Sequence, residues 1–245
     1  MSQLWERTPI AEEALSVVVL EAGDAALLGQ TLSELKSVLG HRQAEILVPV
    51  TPRQVESLQS VIAGNQSARL VPHEDVALGV GSALKVGLEA ARHPLLLTLP
   101  VGYSAKPLPQ FLKEIDQVDI VAGVRQAKVK GWKWRQFFSK AYQLFGLWMQ
   151  DPECGMKLYR RELFERLPLQ SKGAFVQIEI LSKANFESRL LTEVIIEGPE
   201  SEPAIVNSDF WKVLNNPDFG KPPAKVDMEK PIKPIIVSQA PEARP

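Results

Sequence analysis

Cysteine is nearly absent from the sequence, since Cys154 is the only one among 245 residues. A single cysteine excludes an internal disulfide and any cysteine-rich zinc site. The three histidines, His41, His73 and His93, are scattered without the spacing of a metal site. We therefore expect a protein of a reducing compartment, without a disulfide framework or a histidine-based metal site.

An excess of positive charge is also absent, because 28 Lys and Arg residues stand against 29 Asp and Glu residues and the formal net charge is −1. A global basic field is thereby excluded, and we expect no nucleic-acid partner. No uncharged apolar run reaches the ~18 residues of a membrane span. Glu6, Glu12 and Glu13 argue against a signal peptide. We expect a cytoplasmic protein that meets a membrane only from its surface.

Short apolar runs alternate with longer segments of helical period over residues 14–198. The runs of strand length are 14–20, 45–50, 68–71, 94–99, 118–124, 156–159 and 190–196. This alternation is typical of parallel βαβ units. It predicts an α/β fold in which a mostly parallel, Rossmann-like sheet is flanked by helices in a single domain, with residues 1–13 as an N-terminal extension.

Proline is concentrated near the end of the chain, where residues 199–245 contain nine of the 19 prolines. Aromatic residues are few there, and charges of both signs are present. Such a composition does not favour a packed core. We therefore predict that the domain ends at residue 198 and that a poorly ordered tail follows.

Glycines at the predicted start of a helix form the first candidate site. Gly79 and Gly81 follow a strand and a turn, and Lys85 lies one helical turn further on. Exposed N–H groups and the helix dipole favour an anion at such a place, which suits a nucleotide phosphate. An equally good interpretation is that small residues let helix and sheet pack closely, because the spacing is not that of a dinucleotide fingerprint.

A stretch of lysines and aromatic residues over 128–148 is the second candidate. In the functional interpretation, Arg125, Arg135 and Ser139 gather a phosphate or pyrophosphate, and tryptophans beside lysines contact lipid headgroups at a membrane surface. In the other interpretation, the aromatic side chains are buried in the core and the lysines lie on a solvated face. Single-stranded nucleic acid also pairs aromatic and cationic side chains, but the acidic remainder of the chain disfavours it.

Charged residues over 151–161 form the third candidate. Asp151 is placed to take a proton from a nucleophile, while Lys157 and Arg160 stabilise a charged leaving or attacking group. As surface ion pairs the same residues would mean little. Cys154 has no histidine near it in sequence, and we expect it to be a small buried side chain.

Taken in order, these segments resemble family 2 glycosyltransferases of the GT-A fold, especially the polyprenol-phosphate (dolichol-phosphate mannose synthase-like) branch. The matching segments are a strand that ends in Gly-x-Arg at 123–125, Arg-x-x-x-Ser at 135–139, the motif at 151–160, and a closing helix and strand from 177 to 194. The resemblance implies transfer of a sugar from a nucleotide-sugar to an acceptor, often a lipid (polyprenyl) phosphate held by Arg125, Arg135 and Ser139.

The donor half of the motif set departs from the family. Asp24 is the one counterpart of the acid that follows the first strand, and residues 48–52 contain no paired aspartates. Residues 99–104 replace the Asp-x-Asp motif and contain no acid. The family implies Mg²⁺ or Mn²⁺ on the donor diphosphate, but proline and glycine side chains supply no ligand for it. We therefore predict no metal site, and we expect cations such as Lys85 or Lys106 to neutralise a diphosphate.

Three functions remain open at this point. The first is an active glycosyltransferase with Asp151, Lys157 and Arg160 as catalytic residues and Asp24, Gly79, Gly81 and Lys85 at the nucleotide. The second is a catalytically inactive module that binds an anionic ligand, a membrane surface or a partner protein. The third is a nucleotidyltransferase-like protein, which needs acidic metal ligands that the sequence does not place.

Overall fold

Strands and helices alternate along residues 10–73, 79–126, 145–199 and 208–220, the part of the chain that the computed structural model describes. The strands are β1 (Leu15–Leu20), β2 (Ala44–Val50), β3 (Ala68–Pro72), β4 (Leu95–Pro100), β5 (Ile120–Arg125), β6 (Lys157–Arg160) and β7 (Leu191–Ile196). The helices are α1 (Ala25–Leu39), α2 (Pro52–Ala63), α3 (Val80–Ala90), α4 (Leu108–Glu114), α5 (Val176–Phe186) and α6 (Ser208–Asn215), with a 3-10 helix at Arg161–Glu165.

The strands form one sheet of order β3-β2-β1-β4-β6-β5-β7. β6 is antiparallel to both β4 and β5, and the other neighbouring strands are parallel. The carboxyl ends of six strands therefore meet the amino end of β6 along one edge, which we call the carboxyl edge. The opposite, amino edge carries the carboxyl end of β6.

Two apolar layers cover the sheet. On β1, Leu15, Val17 and Val19 face a layer that includes α1, α2 and α4, while Val18 and Leu20 face a layer that includes α3 and α5. Every residue of β1 is buried, because helices cover both faces. Full burial explains why the strands appear in the sequence as continuous apolar runs rather than as alternating patterns.

The predicted α/β fold, with a mostly parallel sheet in one domain, is confirmed. Each predicted strand lies on an observed strand, and the ends differ by two residues or fewer. Helix α2 begins at Pro52, where proline suits the first turn of a helix. The side chain of Asp24 caps α1 by accepting hydrogen bonds from the N–H groups of Ala26 and Leu27.

The structure differs from the expected tail over residues 208–220, where α6 packs against the domain. Phe210 and Val213 are buried, and the Phe210 ring lies 6.2 Å from Phe145 and 5.4 Å from Phe175 between ring centroids. Composition pointed to a tail because nine of the 19 prolines fall in residues 199–245. Two apolar side chains three positions apart are nevertheless enough to hold a short helix against aromatic side chains that the domain provides.

A buried ion pair on α5 fixes residues 168–171. Lys183 Nζ donates to Glu179 Oε1 at 2.7 Å, and neither side chain exceeds 2% exposure. The Glu179 carboxylate also accepts from the backbone N–H groups of Gln170 at 2.7 Å and Ser171 at 2.8 Å. Lys183 Nζ donates further to the Pro168 carbonyl at 2.6 Å. The pair therefore connects α5 to the chain that precedes it.

We predict that Glu179→Gln destabilises the protein strongly. The substitution leaves the buried Lys183 ammonium without a compensating charge, which costs about 3–5 kcal/mol. The matched control is Glu187→Gln, which removes one partner of the partly exposed pair with Arg189 and costs at most ~1 kcal/mol. Urea unfolding gives both free energies, and equal losses would contradict the role of the buried pair.

Candidate functional site

An ion pair between Arg125 and Asp151 lies at the carboxyl edge. Arg125 is the last residue of β5, and Asp151 precedes β6. Arg125 Nε donates to Asp151 Oδ2 at 2.6 Å, and Nη2 donates to Oδ1 at 2.7 Å. The Arg125 backbone N–H donates to Oδ2 at 3.1 Å. Each side chain is 7% exposed, so the pair is fixed in a largely desolvated place.

Tyr103 and Glu193 complete what we call the edge cluster, which consists of Tyr103, Arg125, Asp151 and Glu193. Arg125 Nη1 donates to the Tyr103 hydroxyl at 3.5 Å. Burial raises the pKa of Tyr103 to about 12, so the hydroxyl stays protonated. Glu193 Oε1, from β7, accepts from the backbone N–H groups of Gln150 at 2.8 Å and Asp151 at 3.3 Å. Glu193 therefore fixes the chain that positions the Asp151 carboxylate.

Lys157 lies next to the edge cluster at the start of β6, and it is fully buried. Its ammonium donates to the Cys154 carbonyl and, at 2.8 Å, to Gln177 Oε1 on α5. Burial lowers the pKa of Lys157 to about 8. Burial also raises the pKa of Cys154 to about 11, which keeps the sulfur in its unreactive thiol form.

The turn at residues 151–155 fits against the end of β4 because Gly155 has no side chain. A Cβ at Gly155 would overlap the ring of Pro100. Thr98 Oγ1 donates to the Gly155 carbonyl at 2.7 Å, and the Cys154 N–H donates to the Asp151 carbonyl at 3.1 Å. These contacts place Asp151 beside the end of β5.

The structure brings Arg125, Asp151 and Lys157 together, but it places Arg160 elsewhere. Arg160 lies at the amino edge, where its guanidinium donates to backbone carbonyls of residues 115–118 at 3.1–3.2 Å. It supports the turn before β5 and does not face the edge cluster. The Asp151 carboxylate already accepts three hydrogen bonds from Arg125, which favours a positioning role over the predicted proton transfer.

Gly79 and Gly81 have a packing role in the structure. A Cβ at Gly79 would overlap the Lys172 carbonyl oxygen, and one at Gly81 would overlap the carbonyl oxygen of Ser171. The Ser82 N–H, in the first turn of α3, donates to the Lys172 carbonyl at 3.1 Å. The chain at 171–172 thus covers the place where a nucleotide phosphate was expected, and the structure favours the packing interpretation.

The other predicted nucleotide ligands are not gathered around the edge cluster. Asp24 is exposed at the carboxyl edge, where its Oδ1 caps α1 at 2.8 and 3.0 Å from two N–H groups. Lys85 is half-buried in the middle of α3, and burial lowers its pKa. It lines a groove between α3 and the segment 161–169. Lys106 is exposed after the end of β4.

Arg135 and Ser139 lie outside the described residues, as does most of the stretch 128–148. In its described end, Phe145 and Leu147 are buried in the core, as the core interpretation expects. Trp148 is 81% exposed, which suits contact with an interface of mixed polarity. Among the described helices, none combines the length and apolarity needed to cross a membrane.

The end of β4 does not fit a divalent cation. Residues 100–104 provide no carboxylate, and Ser104 Oγ donates to Glu34 Oε1 at 2.8 Å. Within the described ranges, no group of three His, Cys, Asp or Glu side chains is arranged to hold a metal. Mg²⁺ and Mn²⁺ prefer oxygen ligands, above all carboxylates. The described residues therefore do not supply the metal site that the GT-A resemblance implies.

Sequence analysis alone does not single out Tyr103, Gln177 or Glu193. Tyr103 follows the end of β4 by three residues, in the place of the missing acidic motif. Gln177 and Glu193 lie in the closing helix and strand that carry the family resemblance. The sequence offered two signals for these residues: a position near a strand end, and membership of a segment that resembles the family. Neither signal indicated which side chain reaches Asp151 or Lys157.

No family model matches the sequence, and no curated protein matches it. Solved structures do match the fold. Glucosyl-3-phosphoglycerate synthase from Mycobacterium tuberculosis, in complex with Mn²⁺, UDP-glucose and phosphoglyceric acid, is 16% identical with a TM-score of 0.63, over 86% of this chain and 83% of that one. Another structure of that enzyme is 18% identical with a TM-score of 0.60, over 80% and 76%. The chain therefore has the GT-A fold.

We predict that the titration of Lys157 makes the free energy of unfolding rise with pH. Its pKa is about 8 in the folded protein against an ordinary 10.5, so the unfolded chain binds more protons between these values. The free energy of unfolding must then increase from pH 8 to 10.5. In Lys157→Met this increase is lost, whereas the exposed-site control Lys36→Met follows the wild type. Parallel profiles for wild type and Lys157→Met in chemical denaturation would exclude the effect.

We predict that Gly81→Ala destabilises the protein by about 1–3 kcal/mol, because its Cβ must displace a backbone carbonyl. This cost exceeds the gain of ~1 kcal/mol that alanine brings to a helix. The control is Gly64→Ala, where a Cβ meets nothing within 4 Å. Unfolding curves that showed no loss for Gly81→Ala would instead favour an open helix terminus.

Proposed function

We propose that this protein binds a nucleotide-sugar at the carboxyl edge of its sheet and transfers the sugar to a phosphate-bearing acceptor. The observation that carries the proposal is the Arg125–Asp151 pair, which fixes a guanidinium at this edge through two side-chain hydrogen bonds of 2.6 and 2.7 Å. Open α/β sheets bind their ligands outside the carboxyl ends of the strands. Because the guanidinium is oriented in advance, little ordering entropy is lost when a phosphate arrives.

The solved structures of similar fold support the choice of ligand class. In the M. tuberculosis enzyme the bound molecules include UDP-glucose, phosphoglyceric acid and glycerol 3-phosphate. Phosphoglyceric acid and glycerol 3-phosphate each carry a phosphate. We extend this class, a nucleotide-sugar donor with a phosphate-bearing acceptor, to the present chain.

A lipid phosphate is the acceptor that the edge cluster suits best. A phosphate oxygen is ionised near neutral pH and attacks without a general base. That chemistry agrees with an Asp151 carboxylate that already accepts three hydrogen bonds from Arg125. Arg125, Arg135 and Ser139 would hold the phosphate, and the buried Lys157 adds positive charge behind it. The exposed Trp148 is suited to a cytoplasmic membrane surface, where a polyprenyl phosphate resides.

A metal-free mechanism follows from the side chains at the end of β4. Since these residues supply no ligands for Mg²⁺ or Mn²⁺, arginine and lysine side chains must neutralise the phosphates. The exposed Lys106, after β4, is the described cation that we assign to the donor diphosphate. Lys85 has no such role in this proposal because it faces the groove beside α3.

A catalytically inactive binding module is the second candidate. The residues at the end of β4 favour this candidate. They include no acidic side chain that could hold a metal ion, and a metal ion is the usual means of activating a diphosphate leaving group. Such a module would bind the same phosphate through Arg125 without sugar transfer. Binding and turnover must therefore be measured separately.

We predict that Arg125→Lys weakens binding of a short-chain polyprenyl phosphate at least about tenfold, because lysine cannot keep the two side-chain hydrogen bonds to Asp151 that orient the guanidinium. Arg92→Lys, at an exposed position of the amino edge, is the matched control and keeps full affinity. Isothermal titration with EDTA present measures both, and unfolding temperatures confirm that the variants fold. Equal affinities for the two variants would refute the role of Arg125.

The same samples test transfer against a panel of UDP- and GDP-sugars, with the glycosylated lipid detected by mass spectrometry. A product formed in EDTA supports the metal-free transferase. Product formed only with added Mg²⁺ or Mn²⁺ overturns the metal-free mechanism. Arg125-dependent binding without product from any donor supports the inactive module instead.

A further inference from the structure

A groove near the amino edge is not part of the proposed site. It lies between α3 and residues 161–169 and has a volume of about 360 Å³. Its apolar lining comes from Leu88, Phe164, Leu167 and Leu169. The exposed side chains of Glu89, Glu165 and Arg161 stand along its rim. The Arg161 N–H donates to the Pro94 carbonyl at the start of β4, which places the groove far from Arg125 along the strands.

The described chain ends against the wall of this groove. Gln170 Nε2 donates to the Asn216 carbonyl at 2.8 Å, and the Asp218 N–H donates to Gln170 Oε1 at 2.7 Å. Gly220 then lies against Pro168 and the Arg166 carbonyl. Residues 216–220 thus run alongside residues 170–166 in the opposite direction. The described chain therefore ends at Gly220, beside the segment that forms the groove.

The sequence beyond Gly220 contains one apolar run, Pro-Ile-Lys-Pro-Ile-Ile-Val at 231–237. The eleven steps from residue 220 to 231 span at most ~36 Å when extended, which is ample for a groove that begins at Pro168. Lys230 and Lys233 complement the carboxylates of Glu89 and Glu165. The two prolines restrict the free chain and so reduce the entropy lost on docking.

We infer that residues 231–237 bind in the groove between α3 and residues 161–169 of the same chain. The isoleucine and valine side chains cover the apolar lining, and the lysines pair with Glu89 and Glu165, the two carboxylates of a lining that also carries Lys85 and Arg161. The occupant is thereby a segment of this chain and not a separate partner. The inference does not depend on the proposed function, because the groove shares no residue with the edge cluster.

A disulfide between engineered cysteines tests this contact in the full-length protein. Glu165→Cys on the rim is combined with Ile236→Cys. The control combines Glu187→Cys with Ile236→Cys, because residue 187 adjoins Phe186, whose ring lies 5.6 Å from that of Phe219 near the same end of the described chain. The native Cys154 is fully buried and does not compete.

We expect the Glu165→Cys pair to oxidise at least about tenfold faster than the control pair, because docking raises the effective concentration of the two thiols. Gel mobility and peptide mass spectrometry identify the cross-link. Equal rates for the two pairs would overturn the inference. Cross-links that form only between molecules would overturn it too, since the occupant would then be a second copy.

A variant with changes only beyond Gly220 gives an independent measurement. Ile235→Asp combined with Ile236→Asp removes the apolar contacts without altering a described residue. We expect the amides of residues 163–169 to exchange hydrogen at least about threefold faster in this variant, while those of α2 are unchanged. Exchange at 163–169 that matches the wild type would count against docking, whatever the cross-linking shows.

Discussion

The ion pair between Arg125 and Asp151 joins the carboxyl end of β5 to the segment that leads into β6. Because β6 is antiparallel to both β4 and β5, it begins at the carboxyl edge, where β5 ends. Asp151 meets Arg125 at that point through the backbone N–H and two side-chain N–H groups. Two charged side chains can be desolvated at this position only if they neutralise each other and form good hydrogen bonds. The interaction that positions β6 is therefore also the one that orients the guanidinium.

This double role has consequences for the chemistry at the edge. The Asp151 carboxylate already accepts three hydrogen bonds from Arg125, so the proposed function assigns to this site a substrate that ionises by itself rather than an alcohol that needs a general base. Residues 100–104 at the end of β4 are proline, valine, glycine, tyrosine and serine, and none of them provides a carboxylate. In the proposed function, N–H donors rather than a metal therefore bind the phosphate. Both arguments lead to the same ligand class from separate residues.

Burial on both faces explains why the sequence predicted the strands well. The helix starts at Asp24 and Pro52 carried equally local signals. Lys157 and Arg160 show where sequence reasoning stops. They are three residues apart in one charged segment, yet they open and close β6 and so lie at opposite edges of the sheet. Their spacing in the sequence does not indicate the direction of the strand, nor which carbonyl groups accept hydrogen bonds from Arg160. The role of Gly81, either in packing or in phosphate binding, could likewise be decided only from the path of residues 171–172.

Helix α5 supports both surfaces of the molecule. Gln177 accepts from Lys157 beside the edge cluster, whereas Glu179 binds the backbone of residues 170–171, next to the groove wall. Residues two positions apart on a helix differ in direction by about 200°, which allows one helix to serve two sites. Most of α5 is buried, including the charged Glu179 and Lys183. Hydrogen bonds at both faces thus fix its position, so the edge cluster and the wall of the apolar groove are both attached to this one helix.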